Sequence, residues 1–205
     1  GPQHRARGEP LFAADTGDRV IYLCSAGHIA ALEETLQRAE ANGNGDQPSQ
    51  SPAQAVAAVV SGERSLLVIR VRFADQVSGY EPQSHAEALT MAEEANEFFS
   101  ANSGGIFSIK ATVTPVYVLP QSSQWYASND GSGFARNVLE AARQVAANPS
   151  SISGNGGLQA YDYLNYDLEL VRYDGGPGAF AGQAYVGQRG MWLKSSSSGV
   201  LAHEI

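Results

Sequence analysis

RSLLVIRVRFADQ, residues 64–76, decides how this chain folds. Leu67, Ile69, Val71 and Phe73 alternate along one face, and Arg70 and Arg72 fall on the other. That period of two is the signature of a β-strand. The opposite face begins apolar, at Leu66 and Val68, so the strand is expected to be buried on both sides at its start. A strand covered on both faces belongs to a layered sheet.

The segments that follow supply the layers. SHAEALTMAEEANEFFS, residues 84–100, opens on a capping box, with Ser84 at the N-cap and Glu87 three residues on. Each side chain there satisfies the other's free backbone N–H. Ala88, Met91, Ala92, Ala95, Phe98 and Phe99 recur at helical spacing behind it. SGGIFSIKATVTPVYVLP, residues 103–120, turns at Gly104-Gly105 and then alternates at Ile109, Ala111 and Val113, a second strand. GSGFARNVLEAARQVAANP, residues 131–149, places Phe134, Val138, Ala141 and Val145 on one helical face and stops at Asn148-Pro149. A third strand is expected at Leu168 to Tyr173, a further short one within AYVGQRGMWL (184–193), and a last helix in GVLAHEI (199–205). SISGNGG and DGGPGAFAGQ read as loops. Strand and helix alternate, so the expected class is α/β with a twisted, mixed and mostly parallel sheet and packed helices.

Upstream, LFAADTGDRVIYLC reads as one or two short strands around a Gly-Asp turn. HIAALEETLQRAEAN carries helical spacing at Ile29, Leu32, Leu36 and Ala39. NGNGDQPSQSPAQ has no anchoring apolar residue and reads as a linker. The expected division is therefore a small strand-helix segment over 1–41, a linker over 42–61, and the main body over 62–205.

Composition narrows the functions. Of 205 residues, 43% are hydrophobic and 17% charged, as in globular proteins. The net charge is -8 and the 13 basic residues are scattered, which argues against a nucleic-acid partner. No apolar run reaches the length of a membrane span. With Cys24 the only cysteine, no internal disulfide can form. Oligomeric state leaves no signal in the sequence.

The last five residues, LAHEI, hold the strongest chemical hint. A helix with H-E-x-x-H sets two imidazoles on one face as zinc ligands and a glutamate beside them as general base. Here only His203 and Glu204 of such a pattern are present, and a His-Glu pair alone is better explained by a solvated pair near a chain end.

The wider context carries a resemblance. Ala184-Tyr185-Val186-Gly187, Gly190-Met191-Trp192-Leu193, the serines 195–198 and Val200-Leu201-Ala202-His203-Glu204 follow one another as in the segment leading into the zinc helix of the gametolysin-type metallopeptidases. These are members of the zincin group that continue as H-E-x-x-H-x-x-G-x-x-H. LLVIRVRFADQ and ANEFFSANSGGIFSIKATVTP are similar to the family's preceding strand and helix-to-strand elements. The resemblance spans about residues 65 to 205, and departs from the family in lacking the second and third histidines.

What the resemblance implies is a zincin-like N-terminal subdomain cut within its active-site helix. It further implies a zinc metalloendopeptidase acting on a protein or peptide substrate of matrix or cell-wall type, in a secreted or extracellular setting. This chain alone would be inactive. His203 would be a zinc ligand and Glu204 the base. Residues Tyr185, Val186, Gly187 and Gln188 would lie in the edge strand that pairs with substrate backbone; a plain edge strand with Tyr185 and Trp192 packed in the core is the competing account. Such enzymes are made as precursors, so residues 1–41 would be a pro-segment in which Cys24 could block the zinc as a thiolate; a buried apolar cysteine is the competing account. The competing function is a non-catalytic binding or scaffold domain on a peptidase-like fold.

The remaining polar features suggest no site. His28, His85 and His4 read as helix-start, solvated and tail residues. The acidic residues Asp162, Asp167, Glu169 and Asp174 miss any calcium-loop spacing, so they are expected to serve solubility at strand edges.

Overall fold

The computed structural model describes residues 61–130, 134–185 and 189–205, together with two short strands, β1 (Phe12–Asp15) and β2 (Val20–Leu23). β1 and β2 pair antiparallel, Phe12 opposite Leu23 and Asp15 opposite Val20, two strands where one or two were expected; the expected Gly-Asp turn lies outside the described residues. The chain divides into two compact units, Gly1–Ser61 and Gly62–Ile205. The helix expected at 28–42, the linker residues 42–60 and Cys24 lie outside the described residues.

The second unit is α/β. Its elements run β3 (Gly62–Arg72), α1 (His85–Asn102), β4 (Phe107–Val118), α2 (Ser123–Asn129), α3 (Arg136–Ala147), β5 (Leu168–Arg172), β6 (Gly182–Ala184), β7 (Met191–Leu193) and α4 (Ser198–Glu204). Short 3-10 turns at Pro149–Ser151 and Tyr163–Asn165 lie between α3 and β5. The sheet order is β4-β3-β5-β7-β6. β3, β4, β5 and β7 are parallel, and the edge strand β6 runs antiparallel to β7.

Strand alternation builds two cores. Leu67, Ile69 and Val71 of β3, with Phe73 just past its end, face α3, where Val138, Leu139, Ala142 and Val145 meet them. Leu66 and Val68 face α1, against Ala88, Met91, Ala92 and Ala95, with Leu201 and Ala202 of α4 in the same cluster. All six β3 residues from Leu66 to Val71 except Arg70 are fully shielded apolar side chains. At about 25 cal/mol per Å² of apolar area, such a doubly covered strand is a main source of stability.

Helix α1 begins where the capping box places it. Ser84 Oγ accepts from the Glu87 N–H, and Glu87 Oε2 accepts from the Ser84 N–H at 2.9 Å. Its apolar stripe is buried from Ala88 to Ala95, but Phe98 is half exposed and packs edge-on against Phe99.

The structure adds a role to one residue of the expected pattern, Arg70, and departs from the expectations at three places. Arg70 is 4% exposed, its guanidinium donating to the Thr114 and Gln83 carbonyls and to Glu81. Arg172 of β5, on the same face, donates to the Pro82 carbonyl and to Gln83 Oε1. The two arginines thus anchor the segment that leads into α1. Glu169, expected as a solubilising residue, is 1% exposed and pairs with Arg143 of α3 at 2.6 Å. AYVGQRGMWL is not one strand: its ends belong to β6 and β7, which form an antiparallel pair. Helix α2 was not expected at all; its seven residues hold one fully buried side chain, Tyr126, too few to show a period.

The loop SISGNGG has a structural task as well. Asn155 is fully buried and its carboxamide pairs with both backbone groups of Val118, accepting from N–H at 2.7 Å and donating to C=O at 3.0 Å. It acts as a one-residue surrogate strand on the outer edge of β4.

Candidate functional site

Helix α4 delivers the His-Glu pair. Leu201 and Ala202 are buried against the α1-side core, which fixes the helix rotation and turns His203 outward to solvent. Glu204, one residue further round, faces the edge strand β6. A Cβ placed on Gly182 would stand 2.9 Å from Glu204 Oε1 and 2.6 Å from Val200 Cγ1. Val200 and Glu204 are four residues apart, so this face of α4 rests directly on the backbone of β6.

That setting tunes the carboxyl. Partial burial raises Glu204 above the ordinary glutamate range, and the neighbouring His203 pulls it back in part. A carboxylate held reluctant to ionise is a better proton acceptor than a solvated one.

The strand beneath it is the last of the sheet, with no further strand paired to its outer side among the described residues. Tyr185 N–H donates to the Gly190 carbonyl, and Lys194 N–H to that of Ala181, with Gln183 opposite Trp192 between them. In an antiparallel pair the inward-bonding residues alternate. Gly182 and Ala184 therefore turn their N–H and C=O away from β7, along the sheet edge beside Glu204.

Two contacts hold β6 in place. On the α3 side, Tyr185 packs against Phe134 and Trp192 with ring centroids 4.8 and 4.9 Å away, and Trp192 Nε1 donates to the Ala135 carbonyl. Upstream, Lys194 Nζ donates to the Gly178 carbonyl at 2.7 Å and lies over the Tyr173 and Phe180 rings. Burial lowers the Lys194 ammonium below the usual lysine range, with Asp174 opposing. The glycine-rich loop before β6 is thereby tied to the residue after β7.

Of the residues singled out in the sequence, His203, Glu204 and Tyr185 are described, and Val186, Gly187, Gln188 and Cys24 lie outside the described residues. Glu204 and strand β6 come together; Tyr185 follows the strand and faces the aromatic cluster. Sequence reasoning missed Gly182 and Lys194. Neither carries a motif, since a glycine's role in close approach shows only once its neighbour is known.

Among the described residues, no group of three or more His, Cys, Asp or Glu side chains is placed to hold a metal ion. One exposed imidazole with an adjacent, partly buried carboxylate suits a first ligand and a base, but one imidazole is not a zinc site. A groove of about 390 Å³ opens beside α1, lined by residues including Gln83, Glu87, Met91, Glu94 and Ser196, and none of the residues above lines it. No helix among the described residues is long and apolar enough to cross a membrane.

Comparison with family models gives no match, and comparison with curated proteins and with solved structures gives none either.

Proposed function

We propose that this chain is the N-terminal subdomain of a zinc-dependent metalloendopeptidase, with the remaining zinc ligands on a continuation of α4 beyond Ile205. The observation that carries the proposal is the closeness of the Glu204 carboxylate to Gly182 on β6, the antiparallel last strand of the described sheet. The resemblance to gametolysin-type zincins puts a general base at Glu204 and a substrate-aligning strand over Tyr185 to Gln188, which follow β6 directly in the chain.

The substrate is a protein or peptide, because the outward-turned groups of β6 are backbone N–H and C=O that an extended peptide can pair with whatever its sequence. Zinc in such a site supplies acidification of a bound water and polarisation of the scissile carbonyl. This chain's own part is to offer His203 as a ligand and to align the peptide along Gly182 and Ala184. Glu204 accepts the proton of the attacking water at its carboxylate and returns it to the leaving amine. A secreted or extracellular setting and a matrix or cell-wall substrate go with this reading, as does an inhibitory role for residues 1–41.

The test uses the protein extended through its natural continuation. Zinc-dependent peptide hydrolysis that Glu204→Ala abolishes, with zinc binding weakened by His203→Ala, is the expected result. A continuation lacking H-x-x-G-x-x-H beginning two positions past Ile205 would sink the enzyme reading and leave the non-catalytic scaffold.

A further inference from the structure

We infer that Gly182 is a positioning residue: its missing side chain lets α4 settle on the edge strand and so sets where the Glu204 carboxylate stands relative to a peptide paired with β6. The inference rests on the peptidase reading and adds to it a residue that neither takes part in the chemistry nor belongs to the His-Glu motif.

The geometry leaves little latitude. Any side chain at 182 would place its first carbon 2.6 Å from Val200 Cγ1, 2.9 Å from Glu204 Oε1 and 3.0 Å from Glu204 Cγ. All are below ordinary van der Waals separation, so the helix or the glutamate must move. Val200 is β-branched and stiff, which makes the glutamate the softer partner. Gly182 needs no special backbone conformation, as its φ is not in the left-handed region. Close approach alone accounts for the glycine. The next residue on the same face is Ala184, also small, so the surface of β6 toward α4 is kept low at both positions.

Two contacts already described make β6 the fixed partner. The Lys194 tie before the strand and the Tyr185 packing after it hold the backbone. A methyl at 182 is then taken up on the helix side, by Glu204. A peptide would still pair with the edge, since the outward N–H and C=O groups are unchanged, but the carboxylate would no longer stand over the same bond. Misplacing a catalytic group by about 1 Å can cost about 100-fold in rate.

The experiment compares Gly182→Ala with the parent in the protein extended through its natural continuation. It measures kcat and KM for a peptide, zinc content, and amide exchange at Ala184 with an uncleavable peptide bound. The expected result is a kcat lower by about 10- to 100-fold, with KM, zinc content and peptide-induced protection of Ala184 as in the parent. Parental kcat, a loss confined to KM, reduced zinc content or lost protection of Ala184 each overturns the proposal. Should Gly182→Ala unfold, Val200→Leu crowds the same contact from the helix and is judged by the same measurements. If the parent hydrolyses peptide and Glu204→Ala does not, but neither crowding variant changes kcat, the positioning role falls and the peptidase reading stands. A parent that hydrolyses no peptide removes both.

Discussion

Arg143 of α3 donates to Glu169 of β5 at 2.6 Å, and the Glu169 side chain is fully shielded from solvent. Its second oxygen, Oε2, is buried without a hydrogen-bond partner. Burial raises the Glu169 carboxyl above the ordinary range even with Arg143 beside it. Arg143 has other company, pairing with Glu140 and lying over the Tyr163 ring. The two partners should therefore differ in what their loss costs. Arg143→Ala strands a buried carboxylate and is expected to cost about 3 kcal/mol at pH 7; Glu169→Gln should cost clearly less. Urea unfolding of both variants checks the order. The Arg143→Ala deficit should shrink toward pH 4, where Glu169 can protonate.

Glu204 predicts a pH dependence of its own. Its folded carboxyl titrates above the unfolded value, so the stability tied to its protonation is fully present below about pH 4.3 and is lost as pH rises through the folded value. Glu204→Gln carries no such dependence. Relative to the parent, its Tm should rise between pH 4 and pH 7, and a Tm difference that stays flat over that range would refute the effect.

Asn155 is a small residue with a large duty. Asn155→Ala leaves the Val118 N–H and C=O facing a void where the carboxamide stood, and is expected to cost about 1–3 kcal/mol. Asn155→Asp retains the acceptor but cannot donate to the carbonyl, and should not restore the loss. Denaturant midpoints decide.

Lys194→Met keeps most of the stem and removes the ammonium that ties the Gly178 carbonyl. The loss of stability should be about 1 kcal/mol, with faster amide exchange and proteolysis concentrated between Asp174 and Ala181. Uniform loosening across the whole unit would count against a local tie.

Ser84→Ala removes one half of the capping box at the start of α1. A loss of about 1 kcal/mol is expected, measured by thermal unfolding, with the β-sheet core unaltered.

Much of the architecture was readable along the chain because it is local. The alternation at Leu67, Ile69, Val71 and Phe73 reported one buried face of β3, and Leu66 and Val68 the other. The Ser84–Glu87 box located the start of α1 to the residue. The spacing of Val138, Ala141 and Val145 reported the buried face of α3. Where the pattern was short or broken it misled: Glu169 was read as a solubilising residue at a strand edge because charge usually marks solvent, and the stretch from Ala184 to Leu193 was read as one strand.

For the site, the sequence supplied His203 and Glu204 as residues and a resemblance as their context. It could not supply Gly182, Lys194 or the orientation of the pair. Periodicity tells which side of its own element a residue faces, since that is set by backbone geometry within a few residues. It does not tell what stands opposite, because Gly182 and Glu204, or Arg143 and Glu169, meet only once a helix has packed on a strand that lies well outside its own period. The strands, helices and inward faces of this protein were thus determined by the sequence read locally; the buried charges, the sealed edge at Val118 and the closeness of Glu204 to the last strand of the described sheet were decided by tertiary structure alone, through packing against partners that no local spacing encodes.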